Sequence, residues 1–193
     1  MKNQMKAQKI VCYLVLISCA LAFVFGVGLS TTAYHLYQAK AYGVESNDIF
    51  NKIQPFNKQL VSLIVVMIVT TLTLFITNTH KRRKYYISNF ISTAITSIVC
   101  IVCSIIGLVG TLKFKTMFLT YTDFEAWKIA DQKKGGILNY TESTFWFDIN
   151  VFASIFVILT VLLLIGNMIW KIILMKEEKA LLSGQRYITD MEE

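Results

Sequence analysis

Four long stretches of this chain contain no Asp, Glu, Lys, Arg or His. They cover residues 10–34, 60–79, 87–112 and 149–170. A helix needs roughly 17 to 25 mostly apolar residues to cross the hydrocarbon core of a bilayer, and every stretch is long enough. The strands of a membrane barrel would instead alternate polar and apolar residues over about ten positions, which these stretches do not do. The sequence therefore predicts an all-α integral membrane protein, a bundle of four transmembrane helices.

The composition agrees with a single domain that is solvated by lipid. Of the 193 residues, 55% are hydrophobic and only 16% are charged. A soluble domain of this length could not bury so much apolar surface. We predict one domain over residues 1–193, with transmembrane helices at about 10–36, 59–79, 86–112 and 146–182.

The basic residues predict the orientation of these helices. Lys2, Lys6 and Lys9 precede the first helix, and residues 81–84, all Lys or Arg, separate the second helix from the third. Loops rich in Lys and Arg stay on the cytoplasmic side of a membrane. We therefore predict a multi-pass protein of the cell membrane with both termini cytoplasmic. The net charge of +7 is explained by these flanks, so the predicted partner is the lipid bilayer and not nucleic acid.

The second outer loop is predicted to form a short interfacial helix. Thr122 and Glu125 have the spacing of a capping box, and Gly135-Gly136 would end the helix. Aromatic residues in and around it suit the headgroup layer of a membrane, where they could form either a lid over the bundle or a partner surface. The candidate partner surface consists of Phe118, Tyr121, Phe124 and Trp127.

Two further helix ends are predicted from local signals. A turn capped by Asn47 would end at Gln54-Pro55, because proline disfavours a helical residue before it. The fourth transmembrane helix is expected to pass beyond the membrane and to stop near Ser183-Gly184.

Small residues recur at every fourth position of the first and third helices, and therefore share one face of each. The candidate packing face consists of Ser18, Ala22, Gly26 and Ser30 on the first helix, and of Ser92, Thr96, Cys100 and Gly107 on the third. In lipid, such faces let helices approach closely. The two faces are predicted to pair within the bundle, or one of them to face outward and receive a helix of another protein.

Cys100 and Cys103 form the only pattern with a catalytic appearance. Four-helix membrane enzymes that pass electrons between thiols and quinones have a comparable layout, but they also need a second cysteine pair in an outer loop. Here the other two cysteines, Cys12 and Cys19, lie in the first helix. A thiolate in the middle of a membrane helix is also costly. Packing is the favoured role of this pair.

Other signs of chemistry are lacking in the sequence. The charge-free stretches hold no ionisable residue that could couple transport to ions. Asn89 and Asn167, near the cytoplasmic ends of their helices, are expected to hydrogen-bond to each other or to line a polar vestibule. No phosphate-binding loop, zinc motif or nucleophile elbow occurs, so we predict no enzyme, no metal and no cofactor.

The leading functional hypothesis is a non-enzymatic membrane protein that acts by lateral association. It would be an accessory or regulatory subunit of a larger membrane complex, or a scaffold, and its partner would be another integral membrane protein or a second copy of the chain. The alternative is a small channel or transporter for neutral or lipid-like molecules. A membrane thiol/quinone oxidoreductase is the third hypothesis.

Overall fold

The structure, a computed structural model, describes residues 2–44, 49–79 and 87–192. Its helices are α1 (Lys2–Ala41), α2 (Ile49–Thr79), α3 (Ile87–Tyr121), α4 (Phe124–Lys133) and α5 (Phe145–Glu192). This almost entirely helical chain confirms the predicted all-α class. The basic segment 81–84, on which the predicted orientation depends, lies outside the described residues.

Four of the helices, α1, α2, α3 and α5, are long and apolar enough to cross a membrane, which gives the chain the architecture of a multi-pass membrane protein. Their apolar spans are Asn3–Ala41, Asn51–Thr79, Ile87–Tyr121 and Phe145–Leu181. Most of the helix ends lie beyond the predicted bounds. Hydropathy marks the part of a helix that lipid solvates, whereas the backbone hydrogen bonds continue into polar sequence.

The packing order of the long helices defines the interior. α1 packs against α2 and α5, and α3 packs against the same two helices. α1 and α3 are therefore diagonal to each other. We call the end that carries α4 the cap end, and the end where α1 begins the tail end. Large apolar side chains such as Ile98, Phe152 and Leu163 point outward and are more than half exposed, as expected where lipid replaces water.

Two predicted helix ends are wrong. α2 begins at Ile49 and continues through Pro55, although a proline inside a helix loses one backbone hydrogen bond and crowds the carbonyl four residues earlier. Ile53 and Asn57, on either side of it, are buried against the bundle, and that packing offsets the cost. The cap proposed at Asn47 lies outside the described residues. α5 continues past Gly184 to Glu192. One glycine costs a helix only about 1 kcal/mol relative to alanine, which is too little by itself to end it.

α4 forms a helix where the sequence predicts one, with a different cap. Asp123, not Thr122, is the N-cap, and its carboxylate accepts a hydrogen bond from the Ala126 N–H at 2.9 Å. Aspartate is among the best N-cap residues and its charge suits the positive end of the helix, so the helix begins one residue later than predicted. After the helix, Gly135 and Gly136 adopt φ values of 68° and 83°, a region that favours glycine.

Two glycines permit the closest contacts between neighbouring helices. The indole of Trp146 in α5 lies against Gly28 in α1, and a β-carbon at that glycine would come within 2.1 Å of the ring. The ring of Phe56 in α2 lies against Gly110 in α3, where the corresponding distance is 2.2 Å. Packing near the cap end therefore requires the absence of a side chain at both positions.

Candidate functional site

The small-residue faces of α1 and α3 point toward the centre of the bundle. Ser18, Ala22 and Gly26 on α1 are buried, as are Thr96, Cys100 and Gly107 on α3, whereas Ser30 and Ser92 are half-buried. The faces do not pair helix against helix, because α1 and α3 are diagonal. They contact α2 and α5 instead: the Ser18 hydroxyl lies 3.0 Å from that of Thr160 in α5.

The centre of the bundle is filled by side chains. Residues of all four long helices, including Ala22, Met67 and Gly107, surround a central cavity of only about 10 Å³. That is about the smallest volume that holds one water molecule. Ser104 also lines this cavity, and its hydroxyl donates to the Met67 sulfur at 3.6 Å. At this level the helices leave no room for a solute along the axis.

The thiols of the Cys100 and Cys103 pair are both buried in α3. The Cys100 thiol interacts with that of Cys19 in α1 and lies 3.9 Å from the Thr71 hydroxyl of α2. Cys103 lines the small central cavity. Thiol exchange requires an accessible thiolate, and buried thiols of this kind behave as small packing groups.

A cluster of buried polar side chains joins all four long helices at the tail end. No member is more than 7% exposed. We call it the tail-end polar cluster, and it consists of Gln4 and Gln8 of α1, Thr77 and Asn78 of α2, Asn89 of α3, and Asn167 and Lys171 of α5.

Asn89 is the centre of this cluster, since its amide bonds to three other helices. Its Oδ1 accepts hydrogen bonds from Gln8 Nε2 at 2.9 Å and from Lys171 Nζ at 2.7 Å. Its Nδ2 donates to Asn78 Oδ1 at 2.5 Å and to Thr77 Oγ1 at 3.2 Å. These directional bonds to α1, α2 and α5 can form together in only one relative position of the helices. The Asn89 amide therefore fixes the register in which the helices pack.

Asn167 joins the cluster through α1. Gln4 Nε2 donates to Asn167 Oδ1 at 2.9 Å and lies 3.5 Å from Gln8 Oε1. The direct bond we expected between Asn89 and Asn167 is therefore replaced by a chain through the two glutamines. On the other side, Asn78 Nδ2 donates to the Cys12 sulfur at 2.7 Å.

Lys171 corrects the expectation that the membrane spans hold no ionisable residue. It lies within the apolar span of α5 and is 1% exposed. Its ammonium group bonds to Asn89 and lies 4.5 Å from the centre of the Phe90 ring. A charge inside a membrane protein is costly unless such partners stabilise it.

The chemistry of the tail-end polar cluster favours a structural role, in which it holds the helices together, over a catalytic role. Amides are neither nucleophiles nor useful acids, and Lys171 is the only ionisable side chain among the members. The sequence contains a signal for it: Gln4 and Gln8, like Asn167 and Lys171, are four residues apart and share a helix face. Asn167 is among the polar residues singled out in the sequence, whereas Gln4, Gln8 and Lys171 lie just outside the charge-free stretches and were not recognised.

The rings of the candidate partner surface, in and around α4, are largely internal, so most of their area is not available to a partner. Phe118 and Trp127 are fully buried, Phe124 is half-buried, and Tyr121 alone is exposed, at 46%. The Trp127 indole donates to the Leu138 carbonyl at 3.3 Å. These rings are the core of a lid, because burial of so much aromatic surface is what holds α4 on the bundle.

The lid also contains a perturbed phenol. The Tyr140 ring packs edge-on against Trp127, with 5.9 Å between the ring centres. The Tyr140 hydroxyl donates to the Glu142 carboxylate, which raises the pKa of the phenol to about 12. Tyr140 is therefore neutral at physiological pH and serves as a hydrogen-bond donor.

A lateral groove opens between α1 and α2 near the cap end. Its volume is about 960 Å³. We call it the α1–α2 groove, and it is lined by Val27, Ser30, Ala33, Tyr34, Tyr37, Gln54, Asn57, Lys58, Val61 and Ser62. Ser30, the outermost member of the small face of α1, is thus the one that opens to the outside of the bundle.

At the tail end α5 extends away from the bundle. It has 48 residues, and at about 1.5 Å per residue it is more than twice as long as the roughly 30 Å hydrocarbon core is thick. All side chains at 175–181 are exposed, and Leu181 is 72% exposed. We call residues 175–192 the α5 arm.

Comparison with known protein families, with curated proteins and with solved structures gave no match. Function is therefore argued from this chain alone. In the part of the chain that the structure describes, no three His, Cys, Asp or Glu side chains are grouped as metal ligands.

Proposed function

We propose that this chain is a non-enzymatic integral membrane protein that acts by lateral association. It is an accessory or regulatory subunit, or a scaffold, of a larger complex in the cell membrane. Its partner is another integral membrane protein, and both of its own termini are cytoplasmic. The observation that carries this proposal is the α5 arm.

The α5 arm has the properties of a contact element. Helical turns without tertiary contacts are marginal in water, since most helix stability in proteins comes from the burial of one face. The side chains of residues 175–181 are all exposed, and Leu181, at 72% exposure, is not buried against the bundle. A partner that covers this leucine would provide the missing burial.

The filled centre of the bundle favours association over transport. A central cavity of about 10 Å³ offers a single chain no path for a solute. A channel would have to form between several copies. The buried thiols in the same region likewise favour packing over exchange with a substrate.

The proposal is tested by purification of the tagged, full-length chain in mild detergent, with mass spectrometry of the proteins that co-elute. Leu181→Glu introduces a charge on the α5 arm, and Ile137→Glu is its matched control, since Ile137 is 66% exposed in the outer loop. We expect a second membrane protein to co-elute in stoichiometric amount with the native chain and with the control. Leu181→Glu should reduce its recovery at least tenfold, since an unpaired carboxylate is costly to bury in an apolar contact.

Two results would contradict the proposal. A homo-oligomer with a central opening would favour the channel hypothesis. A monodisperse monomer without a partner, also after cross-linking in intact cells, would refute the accessory-subunit role.

The orientation has a separate test, in which single cysteines are labelled in a cysteine-free background. Residues 82 and 185 should be protected from an impermeant reagent in intact cells, and residues 52 and 133 should react. Reaction at residue 82 from outside would reverse the proposed topology.

A further inference from the structure

We propose that the α1–α2 groove binds an anionic glycerophospholipid whose headgroup carries hydrogen-bond donors. Phosphatidylglycerol has this chemistry. The site lies near the cap end and the α5 arm leaves from the tail end, so this inference does not depend on the proposed function.

The groove changes from polar to apolar along its length, as an amphiphile does. Away from the cap end it is lined by Val27 and Val61, together with Ser30 and Ser62, whose hydroxyls bond to carbonyls of their own helices. Its mouth has Tyr37 and Lys58, which lie just beyond the charge-free stretches 10–34 and 60–79. That is the level where a headgroup meets the acyl region. A volume of about 960 Å³ is at the upper end of the roughly 300–1,000 Å³ usual for ligand sites.

Lys58 gives the mouth a positive charge. No carboxylate in the described residues pairs with its ammonium group, and its side chain is exposed to the groove. Tyr34 and Tyr37 add phenol hydroxyls at the same level, 58% and 63% exposed respectively. The Tyr34 oxygen accepts a bond from Gln38 Nε2 at 3.1 Å, so its own proton is available. An ammonium group and two phenol donors fit a phosphodiester.

The Asn57 side chain favours a ligand that carries a hydrogen-bond donor. It is 3% exposed and lines the groove, and its Nδ2 donates to the Leu29 carbonyl at 3.3 Å. Its Oδ1, also buried, has no hydrogen-bond partner among the described residues. A buried acceptor without a partner is costly, and a hydroxyl of a glycerol headgroup would satisfy it. A choline headgroup, which has no N–H or O–H, would not.

The same residues disfavour a protein helix as the occupant. Helices dock closely over small residues, whereas Tyr34, Tyr37 and Lys58 extend from the rim of this groove. An apolar helix would also remove the Lys58 charge from water without a counter-charge. The Ser62 hydroxyl is already bonded to the Lys58 carbonyl at 2.8 Å and offers a partner helix little.

The test is a lipid titration of the full-length chain, followed by native mass spectrometry. Phosphatidylglycerol and phosphatidylcholine with identical acyl chains are the two probes. We expect phosphatidylglycerol to bind with roughly tenfold preference. Lys58→Gln should remove most of that preference, because the Lys58 ammonium group attracts the net negative charge of phosphatidylglycerol and repels the choline cation of phosphatidylcholine. Lys113→Gln, an exposed lysine near the cap end of α3, is the matched control and should retain it.

A second pair of variants tests the shape of the site. Ser62→Trp would fill the groove from its rim, whereas Thr73→Trp adds the same side chain to an exposed position of α2 outside it. Only Ser62→Trp should reduce phosphatidylglycerol binding. Equal binding of both lipids, or no difference between Lys58→Gln and Lys113→Gln, would overturn the proposal.

A photo-reactive amino acid at position 62 separates a lipid from a protein occupant in the native membrane. A phospholipid adduct supports the proposal. A protein adduct in place of the lipid would overturn it and would assign the groove to a partner helix.

Discussion

The two ends of the bundle are held together by different interactions. At the tail end, polar side chains bond to one another across all four helices, and Asn89 alone contacts three of them. Toward the cap end, amides bond to backbone carbonyls of α1, as Asn150 does to Phe25 at 2.8 Å, and aromatic rings lie against glycines. The first end is closed and polar, whereas the second has an open lateral groove.

This difference follows from directionality. A network of amides and an ammonium group can form its hydrogen bonds in one arrangement, so the tail end tolerates little relative movement of its helices. Aromatic packing depends on contact area and tolerates gaps at its edge, so a groove can remain beside it. We expect substitutions at the tail end to affect the whole bundle and those at the cap end to act locally.

The largest effect is expected from Asn89→Leu. The substitution removes the acceptor that Lys171 and Gln8 share, and the loss of a buried hydrogen-bond partner typically costs about 1–3 kcal/mol for each group, and more for a charged one. Unfolding of the purified protein in SDS, followed by tryptophan fluorescence, measures it. The control is Thr73→Leu, since Thr73 bonds only to the carbonyl of Val69 in its own helix. If the two variants had similar stability, the polar network at the tail end would not be what stabilises the whole bundle.

Trp127→Ala should be the most damaging change at the cap end. Truncation of a fully buried tryptophan typically costs about 3–5 kcal/mol, but here the loss should be confined to the lid over the bundle. Trypsin should cleave faster at Lys128 and Lys133, while the SDS unfolding midpoint of the bundle changes little. Ile129→Ala, at a 52% exposed position of the same helix, is the control. Global unfolding with Trp127→Ala would contradict local action.

Gly28→Ala should have an intermediate effect. The added methyl group would lie 2.1 Å from the Trp146 ring, and overpacking of this kind costs about 1–3 kcal/mol. The control is Gly166→Ala in α5, where, apart from the adjoining turns of its own helix, no atom of the described residues lies within 4 Å of the added carbon. That substitution should stabilise the helix by up to about 1 kcal/mol. The midpoint of thermal unfolding should fall for Gly28→Ala and rise for Gly166→Ala. Changes of the same sign in both variants would refute the prediction.

The smallest effect is expected for the ion pair between Lys115 and Asp148 at the cap end. The two side chains are 28% and 43% exposed, and solvent screening reduces such a pair to about 0.5 kcal/mol or less. A double-mutant cycle with Lys115→Met and Asp148→Asn measures the coupling, which should fall as salt increases. A salt-independent coupling above about 2 kcal/mol would show that the cap end, like the tail end, depends on a directional interaction of a buried charge.

Some details of the site could be read from the sequence and others could not. The small faces were visible as a four-residue repeat, but their contacts with α2 and α5 were not, because a repeat identifies a face without identifying its neighbour. The aromatic residues of the outer loop suggested a surface. Burial of Phe118 and Trp127 required knowledge of how α4 folds back onto the bundle.

By itself, the sequence determined the number of membrane-crossing helices and the solvent around them, because the absence of charge over about 20 residues is a local property that no packing can alter. Tertiary structure alone decided which polar residues became internal. Gln8, Asn89 and Lys171 are far apart in the chain, and each could equally well contact water at a helix end. They are buried here because the depth and rotation of four packed helices bring them together, and those quantities depend on every contact in the bundle at once.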